Sequence, residues 1–175
     1  MVSCELMSGN YDVLNSGLEA LKGVDKSWAL YLTAFWQLHI GDLAGAERTI
    51  ESASRKFPAH VLFHSVRAVL ASKKGDEAAT LRAIELSMQN RKEYGHSHHA
   101  EVEVACALAI LGRKEESLDR LTSAVRSGYP SLPAVQNDPL LSSLHGEERY
   151  RQLLEELLLS QQHYQKLYDD LRHCL

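Results

Sequence analysis

Apolar residues recur at three- and four-residue intervals along most of this chain, and glycines interrupt the runs at matching places. Gly41, Gly75 and Gly112 fall in AFWQLHIGDLAGAERTIESA, AVLASKKGDEAATLRAIELS and ACALAILGRKEESLDRLTSA, 34 and 37 residues apart. Three-to-four spacing puts side chains on one face of a helix. Glycine takes the left-handed cap conformation at low cost, so each of the three ends a helix. The pattern predicts three helical hairpins. The first runs from Ser27 to Phe57, with Leu30, Ala34, Phe35 and Leu38 on one helix and Ala46, Ile50 and Ala53 on the other. Asp42 is placed to cap the second helix by accepting from a free backbone N–H, and Pro58 marks the stop. The second hairpin, Ala59 to Gln89, repeats the chemistry at Gly75-Asp76. The third, Ser97 to Arg126, bends at Gly112 and is followed by Gly128. The longer second interval places an insert at Lys92-Glu93-Tyr94-Gly95-His96. Ahead of the hairpins, Val13, Leu14, Leu18 and Leu21 give Tyr11–Leu21 one apolar face, an N-terminal cap within residues 1–26.

The rhythm changes after Gly128. Pro130, Pro133 and Pro139 crowd GYPSLPAVQNDP, and proline is excluded from helix interiors. Beyond it, Tyr150, Leu154, Leu157, Gln161, Tyr164, Tyr168, Leu171 and Leu175 follow a 4-3-4-3 spacing, the rhythm of a helix with one apolar seam. Leu153, Leu158 and Leu167 broaden the stripe. The first half is expected to cover the last hairpin, because terminal units of a stack need a cap. The more polar second half is expected to project and to support a homodimer. The chain thus reads as one all-α domain over 1–175, with hairpins at 27–58, 59–96 and 97–128 and a capping extension at 129–175.

The hairpins resemble the tetratricopeptide repeat family. Counting from Ser27, Val61 and His98 as first positions, the eighth is Ala34, Ala68 or Ala105, and the fifteenth is the glycine. The twentieth is Ala46, Thr80 or Ser117, and the twenty-fourth is Ile50, Ile84 or Leu121. The twenty-seventh is Ala53, Ser87 or Ala124, and Pro58 holds the proline position of the first repeat. Small side chains let neighbouring helices approach until ridges fill grooves. The fourth and eleventh positions, often Trp and Tyr in the family, are Leu30, His64 and Glu101, and Gln37, Ala71 and Leu108 here. The segment with Asp138-Pro139, Arg149-Tyr150 and Leu153-Leu154 resembles the one that closes many bacterial tetratricopeptide proteins.

The resemblance implies a right-handed superhelix that binds a protein or peptide in its concave groove. The family's ligand-touching positions map to Trp28, Tyr31 and Phe35, then Leu62, Ser65 and Val69, then His99, Val102 and Cys106. The lysine, arginine and asparagine with which chaperone-binding members hold a terminal carboxylate are absent there. An apolar or aromatic groove for an amphipathic segment is expected instead, since aromatics anchor protein interfaces. Self-assembly is the alternative, with the chain then the regulatory part of a larger signalling protein.

Composition narrows the chemistry. Nineteen basic and 23 acidic residues give a net charge of -4, without the basic stripe of a nucleic-acid binder. No run approaches the ~20 apolar residues of a membrane span. Cys4, Cys106 and Cys174 are few and far apart, which fits a reducing, cytoplasmic setting rather than a disulfide framework. Neither a GxSxG nucleophile turn nor a GxxxxGK phosphate loop occurs, so neither an enzyme nor a cofactor is expected. Cys106 reads as an inert core thiol. His96, His98 and His99 lie in YGHSHH, and His60 and His64 share a helix face. With no cysteine near them in sequence, all five are expected to serve loop or packing roles rather than hold a metal.

Overall fold

The computed structural model describes residues 26–89, 91 and 95–172. The expected Tyr11–Leu21 helix, Lys92 to Tyr94 of the insert, Cys4, Cys174 and the seam residue Leu175 lie outside the described residues. Six helices form three hairpins: α1 (Lys26–His39) with α2 (Leu43–Lys56), α3 (Val61–Lys73) with α4 (Glu77–Gln89), and α5 (Ser97–Ile110) with α6 (Lys114–Arg126). A short α7 (Leu132–Asn137), a 3-10 segment (Pro139–Leu144) and the long α8 (Glu148–Arg172) follow. The described residues are helical and contain no strand. No helix among them is long and apolar enough to cross a membrane.

The bends follow the expected chemistry. Gly41, Gly75 and Gly112 have φ of 82°, 76° and 76°, where a side chain would crowd the backbone. Asp42 Oδ1 accepts from Gly45 N–H at 2.8 Å, and Asp76 Oδ1 accepts from Ala79 N–H at 2.8 Å. A Cβ added at Gly112 would meet nothing within 4 Å. Gly112→Ala is therefore expected to cost about 1–2 kcal/mol from backbone strain alone. Urea unfolding would read that cost, and an unchanged midpoint would show that the bend tolerates a side chain.

The first helices form one layer, α1 on α3 and α3 on α5, while α2 and α4 pack on the first helices around them. The small positions of the repeat explain the closeness. Ala34, Ala46, Ala53, Ala68, Thr80, Ser87, Ala105, Ser117 and Ala124 are all fully buried. The polar ones among them bond backbone: Ser117 Oγ donates to the Ala105 carbonyl at 2.7 Å and Ser87 Oγ to that of Val61 at 3.2 Å. With Thr80 Oγ1 donating to the Asp76 carbonyl at 2.8 Å, the three buried hydroxyls at these positions are satisfied.

The closing segment is held by the residues that carried its resemblance. Asp138 is buried and its Oδ1 accepts from Leu140 N–H at 2.9 Å, opening the 3-10 segment. Arg149 bonds Glu115 and Asp119 of α6, both at 2.7 Å. Buried Tyr150 donates from its hydroxyl to the Val135 carbonyl at 2.7 Å. Leu153 and Leu157 are buried with it. From Leu158 to Arg172, every residue of α8 is exposed.

Candidate functional site

The nine residues expected to line a groove lie on the first helix of each hairpin, and four of them, Tyr31, Phe35, His99 and Val102, line one small cavity. The rings of Trp28, Tyr31 and Phe35 run along α1, with centroids 5.0 and 6.2 Å apart. Trp28 also meets His99 of α5 at 5.6 Å. That side is not an open surface. Tyr31, Phe35, Leu62, Ser65, Val69, His99, Val102 and Cys106 are buried, and only Trp28 keeps partial exposure. The expectation of an accessible groove is corrected by two features. The first helices of successive hairpins pack on one another, and Tyr129, Ala134 and Asp138 close over Tyr31, Phe35, His99 and Val102. Tyr31, Phe35, His99, Val102, Glu103, Tyr129, Ala134 and Asp138 enclose about 10 Å³, room for one water at most.

At the centre of that closed side is Glu103, which sequence reasoning passed over. It is 3% exposed. Tyr31 of α1 donates its hydroxyl to Glu103 Oε1, and Ser65 of α3 lies 2.5 Å from Oε2. The Ser65 hydroxyl is also 3.0 Å from the Leu62 carbonyl. One hydroxyl proton serves two acceptors only as a weaker, shared bond. A carboxyl protonated on Oε2 resolves this: it donates to Ser65 Oγ, and Ser65 donates to Leu62. Burial acts the same way and raises the Glu103 pKa to about 8, with Asp138 nearby adding to it. The signal was present in the sequence, since Glu101 and Glu103 interrupt an otherwise apolar run with no room for a polar face.

A second polar knot adjoins it. His39 Nε2 lies 3.2 Å from Asp138 Oδ1, and Nδ1 lies 2.8 Å from the Phe35 carbonyl. Cys106 donates its thiol to Asp138 Oδ2 at 3.6 Å. Burial, with Asp138 and Glu103 nearby, pushes that thiol well above its usual pKa. A thiol held protonated is a poor nucleophile, which fits its reading as a core residue.

Five of the other histidines divide into two sets. His64 Nε2 lies 3.1 Å from the Pro58 carbonyl, and His60 packs on Phe63 with centroids 4.9 Å apart. Both serve the α2–α3 bend. His96, His98 and His99 instead bring one ring nitrogen each to within 4.8 Å of one another. Sequence spacing alone gave them a loop role; the first turn of α5 gathers them. Burial chiefly, with His98 and His96 beside it, brings the His99 pKa down to about 4, and burial also lowers that of His98.

The remaining feature is the far half of α8. Leu159 and Tyr164 are each 67% exposed, Leu171 66% and Tyr168 56%. Leu158 and Leu167 flank them, also exposed. No family model, curated protein or solved structure matches this chain.

Proposed function

We propose that this chain is a non-catalytic protein-interaction module, a right-handed superhelix of tetratricopeptide-like hairpins that binds an amphipathic helix of a partner protein. The reading is carried by the apolar stripe on α8 beyond the packed body. Tyr164, Leu167, Tyr168 and Leu171 recur at helical spacing and stand in solvent. Contiguous apolar surface of this kind marks interaction sites, and a heptad seam accepts a second helix by knobs-into-holes packing. The buried side of α1, α3 and α5 then serves as the rigid core that presents the stripe rather than as the groove.

One observation favours self-assembly as the second reading. Of the positions flanking the seam on the exposed half, Leu158, Ser160, Gln165 and Leu167 carry no charge and Arg172 alone does, at the last turn of α8, so two copies meet with little like-charge repulsion. Gln161 within the seam would pair with its own equivalent, a common device for setting register.

The test uses the full chain and a Leu167→Asp/Leu171→Asp variant as paired baits in extracts of the source cell. A protein retained by the first and lost by the second, and bound 1:1 when both are purified, is the expected result. Equal capture by both baits removes the stripe as the contact surface. Light scattering over a concentration series separates the second reading: a mass that doubles for the intact chain and stays single for the variant is its signature.

A further inference from the structure

Three imidazoles with their nitrogens this close have a use beyond packing. His96 precedes α5, and His98 and His99 lie in its first turn. The ring centroids are 5.7 Å apart for His96–His98, 6.0 Å for His96–His99 and 4.7 Å for His98–His99. Positions 96 and 99 are the N-cap and N3 of the helix, a pair whose side chains turn toward each other.

We propose that His96, His98 and His99 bind one divalent first-row transition ion, zinc being the reference case, through three imidazole nitrogens with a fourth position open to solvent. Imidazole nitrogens hold zinc at about 2.0–2.1 Å in tetrahedral sites, so two ligands on one ion stand roughly 3.4 Å apart. The present upper bound of 4.8 Å closes to that by small ring rotations. His96 is exposed and His98 half-buried, which gives both rings room to turn. His99 is the fixed member, with Trp28 and Tyr129 against it at 5.6 and 5.5 Å. Tyr129 also touches His98 at 5.9 Å, and Trp28 touches His96 at 6.1 Å. Two aromatic walls therefore hold the cluster from opposite chain segments. An all-nitrogen donor set favours zinc, nickel or copper over magnesium or calcium, which prefer oxygen.

An independent observation lies one helical turn on. Glu101 is 4% exposed, Arg91 donates to its Oε1 at 2.6 Å, and its Oε2 has no hydrogen-bond partner. Buried carboxylate oxygens seldom stay unpaired. A metal on one nitrogen of a histidine leaves the other as an N–H donor, and a nearby carboxylate is the usual acceptor. Glu101, three residues from His98 on the same helix face, is the open acceptor for that role. The positive end of α5 opposes a cation, but this partial charge is small beside three metal–nitrogen bonds.

The experiment is zinc titration of the untagged full chain by calorimetry, repeated with cobalt(II) to read four-coordinate visible bands. His96→Ser places a good N-cap residue at a surface position, and His98→Gln keeps a polar side chain. Both should fold, which apo melting curves would verify. The expected result is 1:1 binding, weakened about 100-fold or more in each variant and unchanged in His163→Ala, an exposed histidine on α8. Absence of stoichiometric binding at micromolar metal overturns the proposal. So does binding that survives both His96→Ser and His98→Gln, or that is lost in His163→Ala.

Discussion

Thermal stability of the intact chain is expected to fall between pH 6.5 and 8, and Glu103→Gln is expected to abolish that fall. The Glu103 carboxyl has its folded pKa raised from 4.5 to about 8, first by burial and then by Asp138 nearby. Its stabilising contribution is complete below pH 4.5, where both folded and unfolded chains are protonated. It is lost as pH rises toward 8, because the unfolded chain releases the proton and the folded one keeps it. The slope is about 1.4 kcal/mol per pH unit for one proton. His99 works in the opposite sense. Its folded pKa is lowered from 6.5 to about 4, so its contribution is present above 6.5 and is lost as pH falls toward 4. Between pH 4.5 and 6.5 His99 opposes Glu103, and His64 and His98, also lowered by burial, act in the same sense as His99; between 6.5 and 8 Glu103 dominates. A glutamine at 103 accepts from Tyr31 with Oε1 and donates from Nε2 to Ser65, so the hydrogen bonds survive and the titration does not. At pH 8 this variant should be more stable than the native chain by roughly 3–5 kcal/mol, and near equal to it at pH 5. Urea midpoints across pH 5–8.5 would decide. A parallel decline in both chains would exclude Glu103 as its source.

Removing residues 137–175 is expected to unfold the chain or make it aggregate, whereas removing 161–175 should leave its melting temperature nearly unchanged. The longer cut removes buried Leu141, Leu144, Tyr150, Leu153 and Leu157. Each such side chain is worth roughly 1.5–3 kcal/mol. Their sum is comparable to the ~5–15 kcal/mol that holds an average domain together. The same cut takes Asp138 from His39 and Cys106, uncovering polar groups where α1 meets α5. The shorter cut removes, among the described residues, only exposed positions. Circular dichroism melts of the two truncations separate these outcomes. A longer truncation that melts like the intact chain would refute the covering role of the 3-10 segment and α8.

Much of the architecture was legible because its causes are local. Each bend takes a positive φ, which Gly41, Gly75 and Gly112 supply; Asp42 and Asp76 add an acceptor for a free N–H at the first two, while Arg113 makes no side-chain cap at the third. The hairpins consequently end where the periodicity ends them. The long seam was also visible, but not where its burial stops. Spacing treats Leu157 and Leu171 alike; packing on α6 and α7 buries the first and leaves the second in water. Glu103 was overlooked for a related reason. A glutamate three positions from Cys106 reads as polar, and only Tyr31, 72 residues earlier in the chain, makes it a core hydrogen-bond acceptor.

The sequence by itself determined the all-α class, the hairpin boundaries and the one face of α1 that Trp28, Tyr31 and Phe35 share. Those follow from side-chain spacing and backbone preference within a turn or two of helix. Tertiary structure decided whether that side is open. His39 meets Asp138 across 99 residues of sequence, and Tyr129 and Ala134 close one small cavity with Phe35 and Val102. It also turned YGHSHH from a polar loop into three imidazoles walled by Trp28 and Tyr129. Periodicity fixes which face of a helix is apolar, but not what covers that face. The covering is set by where distant segments gain most by leaving water, a property of the whole chain.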